Sequence, residues 1–189
     1  IDVIFCASGW DEESIDFLDN LGVPFFKMAS ADLTNIPLLL HTAKKNKPMI
    51  LSTGMADMNT VEQAYSQINN INNNIAILQC TSTYPSKFSE INLNVIQTYL
   101  KKFPDAIIGY SGHEQGIAIP IAAVALGARI IERHFTLDRT MKGGDHSASL
   151  EPQGFAKMVR DIRHIEESMG SFDKTMQQSE IPILNKLGK

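Results

Sequence analysis

The sequence predicts an α/β protein of the (β/α)8 TIM-barrel type, present as about six β-α units, on three observations. Short apolar runs begin near Val3, Phe25, Met49, Ile75, Ile107 and Ile130, each followed by a longer stretch with helical spacing. The runs are continuous rather than alternating, as expected of parallel strands covered on both faces. No G-x-G-x-x-G follows any of them, so the phosphate fingerprint of a doubly wound sheet is missing, and polar side chains instead recur at the end of every run. In a barrel all such ends converge on one mouth.

Taken in order, the run Ile1 to Cys6 predicts a strand ending at Ser8. Asp11 is placed to cap a helix over Glu12 to Leu21 that stops at Gly22. The second strand ends at Lys27 and Ser30, and Thr34 or Asn35 precedes a helix with Pro37 at an early position. The third ends at Ser52 and Thr53, with Asn59 and Glu62 spaced as a capping box for the helix that follows. After the polar loop Asn69 to Asn74, a fourth strand ends at Thr81, Ser82 and Tyr84, and a helix from about Asn92 to Phe103 stops before Pro104. The fifth strand ends at Ser111 and His113, and its helix runs from about Ile117 to Leu126, closed by Gly127. The sixth ends at Glu132 and His134. The longest helix follows Pro152, sets Phe155, Met158, Val159, Ile162 and Ile165 on one face, and closes at Gly170.

Eight units take roughly 250 residues, so the 189 residues here are about two units short. Residues 1–170 are expected to be units 3 to 8 of the barrel. Residues 171–189 lose the periodicity and are expected to be a linker toward another element.

Composition excludes several classes. With 43% hydrophobic and 20% charged residues the chain reads as a soluble globular protein. A net charge of -4, with no basic stripe interleaved with aromatics, argues against nucleic acid. No apolar run approaches the roughly 20 residues of a membrane span and no basic leader opens the chain, so a cytoplasmic location is expected. Cys6 and Cys80, both in or at the end of apolar runs, suit buried reduced thiols.

Among the strand ends, His113 and His134 stand out. If their strands are neighbours, equivalent positions lie about 5 Å apart, close enough for two imidazoles to share one ion. One isolated histidine reads as an ordinary polar strand end; two in register, flanked by Glu114, Glu132 and Asp145, favour a divalent metal such as Mn, Fe, Co or Zn over Ca. Lys27, after two phenylalanines, is aimed into the mouth, where it neutralises a phosphate or carboxylate or forms a Schiff base, against the alternative of a snorkelling surface lysine. Ser30, Ser52, Thr53, Ser82 and Ser111 are individually ordinary hydroxyls; around one mouth they are the donors an anion needs. Gly143-Gly144-Asp145-His146-Ser147 reads equally as a mobile flap carrying a carboxylate or as a plain loop.

Several blocks then match a known family: Phe26-Lys27-Met28-Ala29-Ser30-Ala31-Asp32, Leu51-Ser52-Thr53-Gly54-Met55, Gln79-Cys80-Thr81-Ser82-Thr83-Tyr84-Pro85, Gly109-Tyr110-Ser111-Gly112-His113-Glu114, Glu132-Arg133-His134-Phe135-Thr136 and Gly144-Asp145-His146-Ser147. From Cys6 to Gly170 the chain resembles the N-acetylneuraminate (sialic acid) synthase family, its variants looking most like the animal-type enzymes. The resemblance implies a (β/α)8 barrel that condenses phosphoenolpyruvate with N-acetylmannosamine or its 6-phosphate, giving N-acetylneuraminate or its 9-phosphate and inorganic phosphate. It implies a divalent ion, Mn or Mg, on His113 and His134. It places Lys27, Ser30, Ser52 and Ser111 on phosphoenolpyruvate, and Tyr84, Glu132 and Asp145 toward the sugar and a metal-bound water. Ser82 stands where bacterial members carry asparagine.

The family also draws a glutamate and a Lys-x-Gln from its first two barrel strands, and an arginine from the antifreeze-like C-terminal domain of a partner subunit in a swapped homodimer. None of these segments lies in this sequence, so the chain is expected to be inactive or unstable alone. The rival readings are another metal-dependent barrel aldolase or sugar isomerase, and a non-catalytic sugar-phosphate-binding paralogue.

Overall fold

Five strands form one all-parallel sheet in the order β1-β2-β3-β4-β5: β1 (Phe26–Met28), β2 (Met49–Ser52), β3 (Ile75–Cys80), β4 (Ile107–Gly112) and β5 (Ile130–Arg133). The computed structural model describes residues 3–188. Every strand lies beside its neighbours in sequence, as in a barrel; a doubly wound sheet reverses its order at a switch point. The helices are α1 (Glu12–Asn20), α2 (Ile36–Ala43), α3 (Met58–Asn69), α4 (Val95–Lys102), α5 (Ala118–Ala125), α6 (Pro152–Ser168) and α7 (Ile181–Leu187).

Strand pairing divides the side chains by their period of two. Phe26, Met28, Met49, Leu51, Ile75, Ile77, Ile108 and Tyr110 share one face, and there they pack with Ile15, Leu18, Leu39, Val61, Ile68, Ile96 and Tyr99 of the helices. Burial of each large apolar side chain contributes about 1.5–3 kcal/mol, so this layer holds the helices on the sheet. The opposite face carries Lys27, Ser52, Cys80, Ser111 and Glu132 toward the strands' C-terminal ends. β4 must lie close between its neighbours: a Cβ at Gly109 would collide with the Leu78 side chain and the Ile130 carbonyl.

Local signals explain most helix starts. Asp11 caps α1 by accepting from the Ser14 amide at 2.7 Å, and Asn35 caps α2 through the Leu38 amide at 3.4 Å.

Three expectations are corrected. First, six strands reduce to five. Residues 3–9 form no strand, and Val3, Ile4 and Phe5 are 76%, 68% and 61% exposed; Ile1 and Asp2 of the same run lie outside the described residues. Apolarity alone does not make a strand, because the backbone needs an edge to pair with, and among the described residues β1 pairs only with β2. Second, α3 is capped by Asp57, which accepts from the Thr60 amide at 2.8 Å, and not by Asn59, which falls inside the helix. Third, the tail carries a helix. Gln177 and Glu180 cap each other reciprocally around a 3-10 turn, Gln178–Glu180, that leads directly into α7, and Pro182 stands at an early helical position, so α7 forms on local signals without a buried face.

Candidate active site at the strand C-termini

The described structure has large cavities at both ends of the sheet, and their linings differ in chemistry. At the N-terminal ends a cleft of about 420 Å³ is lined mostly by apolar residues, among them Phe25, Met49, Ile75, Ile107 and Ile130, together with Asn73, Asn74 and Asp105. At the C-terminal ends a cleft of about 470 Å³ gathers Lys27, Ser30, Ser52, Ser82, Tyr84, Ser111, His113, Glu132, His134 and Asp145. The structure therefore brings together in one cavity ten of the residues singled out from the sequence. Thr53 is not among them: it is buried, its hydroxyl donating to the Leu78 carbonyl at 2.9 Å and accepting from Tyr99 at 3.1 Å. Catalytic groups of barrel proteins lie at this end.

Four strands contribute to a single polar network. Lys27 of β1, its side chain 13% exposed, donates to Ser52 Oγ of β2 at 2.9 Å and to the Met28 carbonyl at 3.0 Å, and its Nζ lies 3.5 Å from Glu132 Oε2 of β5. Ser111 of β4, the register partner of Glu132, donates to Glu132 Oε1 at 2.7 Å. The snorkelling alternative for Lys27 falls with this geometry. Ser30 Oγ accepts from the Gly54 amide at 2.9 Å. Gly54 needs to be glycine, because a Cβ there would meet both Ser30 Oγ and Ser82 Oγ.

His113 and His134 each follow the last paired residues, Gly112 and Arg133, and their ring centroids lie 5.2 Å apart. Tyr84 completes the cluster, 4.1 Å from the His113 ring and 5.6 Å from that of His134. His113 Nδ1 lies 2.7 Å from the Thr81 carbonyl, so it carries a proton and donates, which in the neutral ring leaves the Nε2 lone pair free. Cys80 Sγ, at 4.0 Å from the same nitrogen, is a weak contact by comparison. Burial alone would lower the His113 pKa, but its bonds to Cys80 and Thr81 outweigh that and hold it above the ordinary value. His134 is pushed the other way, by burial first and then by the charge of His113. Burial also raises the Tyr84 phenol, aided by the charges of Cys80, Asp145 and Glu132.

The donor set suits a divalent ion in part. A metal-bound imidazole donates its other N–H to a carbonyl or carboxylate, as His113 does to Thr81. The Asp145 carboxylate lies 3.7 Å from His134 Nδ1. Among the described residues no group of three or more His, Cys, Asp or Glu side chains is arranged around one point, so the pair offers two nitrogens and leaves other positions open.

Glu114 is a correction. Adjacency in sequence suggests a residue of the metal environment, but its carboxylate accepts from Tyr110 at 2.7 Å and from Arg133 at 2.8 Å, with the Arg133 and Glu114 side chains both 0% exposed. Arg133 also donates to the Gly116 and Ala148 carbonyls, at 2.9 and 3.3 Å. This buried triad lies on the helix-facing side of β4 and β5, where it ties the loop after His113 to the segment that carries Asp145.

A profile of the NeuB family matches residues 1–174. The chain belongs to the NeuB family. It is 52% identical over all 189 residues to human N-acetylneuraminate-9-phosphate synthase, of which it covers 53%, and 41% identical over 184 residues to the N,N'-diacetyllegionaminic acid synthase of Legionella pneumophila, of which it covers 51%. The NeuB-family chain thus spans about half the length of the curated relatives it matches. Among solved structures it is similar to an N-acetylneuraminic acid synthetase from Leptospira borgpetersenii determined with citrate, with a TM-score of 0.88 and 38% identity over 98% of this chain and 66% of that one. A truncated 3-deoxy-D-arabino-heptulosonate 7-phosphate synthase from Thermotoga maritima shares the fold alone, at 17% identity and a TM-score of 0.73 over 87% of this chain and 66% of that one.

The NeuB-family cleft is also lined by Ser8, Trp10, Ala29, Ala31, Met55 and Cys80. Of these, Ser8 was legible as the polar end of the first run, and Cys80 ends the β3 run in phase with the inward residues. Trp10 belongs to no strand and no motif.

Proposed function

We propose that the protein is a sialic acid synthase that condenses phosphoenolpyruvate with N-acetylmannosamine 6-phosphate, or with N-acetylmannosamine, to give N-acetylneuraminate 9-phosphate or N-acetylneuraminate and inorganic phosphate. The observation that carries this reading is the single cleft in which the Lys27–Ser52–Glu132–Ser111 network faces the His113, His134 and Tyr84 rings. The names of the relatives support it, and the animal synthases among them favour the phosphorylated acceptor.

The residues divide by chemistry. Lys27 is a fixed ammonium held by Ser52, and with Ser30, Ser82 and Ser111 it binds the carboxylate and phosphate of phosphoenolpyruvate through charge-assisted hydrogen bonds. Tyr84 and Asp145 orient the acceptor. C3 of phosphoenolpyruvate attacks the aldehyde carbon of the open-chain sugar, forming the new C–C bond and leaving C2 cationic. Water then adds at C2, Glu132 and Asp145 are the carboxylates available for the proton it loses, and the C2–O bond breaks as phosphate departs. Mn or Mg would be held by His113 and His134 and supply Lewis acidity toward the acceptor carbonyl; two imidazoles favour Mn over Mg.

On the same reading the chain is the later part of an eight-unit barrel, units 3 to 8 in the family's order, with β1 to β5 the strands of units 4 to 8 and the stretch before α1 unpaired here. Residues 171–189 lead to an antifreeze-like domain, and the protein is a cytoplasmic homodimer. No helix among the described residues is long and apolar enough to cross a membrane.

The test is mass spectrometry of the product formed by the gene-length protein from phosphoenolpyruvate and either acceptor. The reading expects one product that joins the intact sugar to the three-carbon unit. An isomerised sugar, or unchanged substrates, would refute it.

A further inference from the structure

Trp10 is the one tryptophan of the chain, and it lines the polar cleft while 63% exposed. Its backbone is held despite the irregular stretch before it, because it immediately precedes Asp11, whose carboxylate caps α1 through the Ser14 amide at 2.7 Å. The indole is thus a large, mostly solvent-facing apolar surface at the edge of a cavity whose other lining residues, apart from Tyr84 and Met55, are charged, hydroxylic, thiol, imidazole or alanine side chains.

The two substrates of the synthase reading make different demands. Phosphoenolpyruvate is small and strongly anionic, and Lys27 with the serine hydroxyls answers that charge. An indole adds nothing to its recognition. An acetamido sugar has a face of C–H groups and an acyl methyl, and aromatic side chains offer such groups contact area at low cost in conformational freedom.

We propose that Trp10 is a specificity-determining residue of the acceptor subsite, its indole forming the apolar platform on which the C–H face or acyl methyl of an acetamido sugar rests. This inference rests on the synthase reading and names the subsite within it.

The experiment compares the gene-length protein with its Trp10→Ala and Trp10→Phe variants, by steady-state kinetics and by tryptophan fluorescence titrated separately with N-acetylmannosamine 6-phosphate, N-acetylmannosamine and phosphoenolpyruvate. Because the side chain is mostly exposed, both variants are expected to fold, which thermal denaturation checks. Trp10→Ala should raise the acceptor KM about three- to tenfold, the range of one aromatic contact, and leave the phosphoenolpyruvate KM unchanged. Trp10→Phe should recover most of the loss, and the sugar-dependent fluorescence change of the unaltered protein should be reduced in both variants by the part that Trp10 supplies. An unchanged acceptor KM, an equal rise for both substrates, or a lowered melting temperature without a kinetic effect would overturn the proposal. If the unaltered protein makes no condensation product, the synthase reading falls by itself. Sugar binding to Trp10 is then decided by fluorescence alone, and no sugar-dependent change would overturn it too.

Discussion

At the scale of single residues, period-two alternation separates chemistry from architecture along β5. Glu132 and His134 face the cleft, while Arg133 between them turns to the helix side and closes the triad with Glu114 and Tyr110. Two predictions follow from this division. Lys27→Met removes a charge-assisted donor to an anion and should raise the phosphoenolpyruvate KM about 10- to 100-fold, with little effect on thermal stability. Arg133→Met strands the buried Glu114 carboxylate and should cost about 3–5 kcal/mol of stability by urea denaturation. The inward residues were legible because each ends an apolar run. Glu114 was misread because adjacency to His113 says nothing about which face a side chain takes once the strand has ended, and Trp10 was invisible because its placement depends on a helix cap rather than on any period.

At the scale of elements, caps and core decide stability. Asp57 rather than Asn59 starts α3, so Asp57→Ala should lower the melting temperature measurably and exposed Asn59→Ala should not. Hydrogen bonds from the Thr60 amide and hydroxyl hold the Asp57 carboxyl below its ordinary pKa. Its folded pKa therefore lies below the unfolded value near 4. The contribution is fully present above that unfolded value and is lost as pH falls through the lowered folded one. A stability-against-pH curve should accordingly fall less steeply in acid for Asp57→Ala than for the unaltered protein. In the core, Ile77 of β3 is 0% exposed against the helices, and Ile77→Ala should cost about 2–5 kcal/mol. The helices before α7 were legible to within a few residues because caps, glycines and prolines are local. α7 and the run at Val3 were not: one forms without a buried face, and the other lacks a partner edge despite its apolar composition.

At the scale of the molecule, the parallel sheet in sequential order and the convergence of polar strand ends were both legible in the sequence, because a barrel repeats one unit and places every repeat's ending at one mouth. What the repeat does not encode is completeness: the described sheet has edges at β1 and β5, and the chain covers 53% of its human relative. On the proposed function, turnover is expected of the gene-length protein, and residues 1–189 alone are expected to release phosphate far more slowly. The most direct measurement is the initial rate of phosphate release from phosphoenolpyruvate by the metal-stripped gene-length protein, with Mn and an acceptor sugar added back separately and together. The account predicts rapid release only when both are present, and its loss in His134→Ala. Release that proceeds without an acceptor, or that His134→Ala leaves untouched, would contradict it.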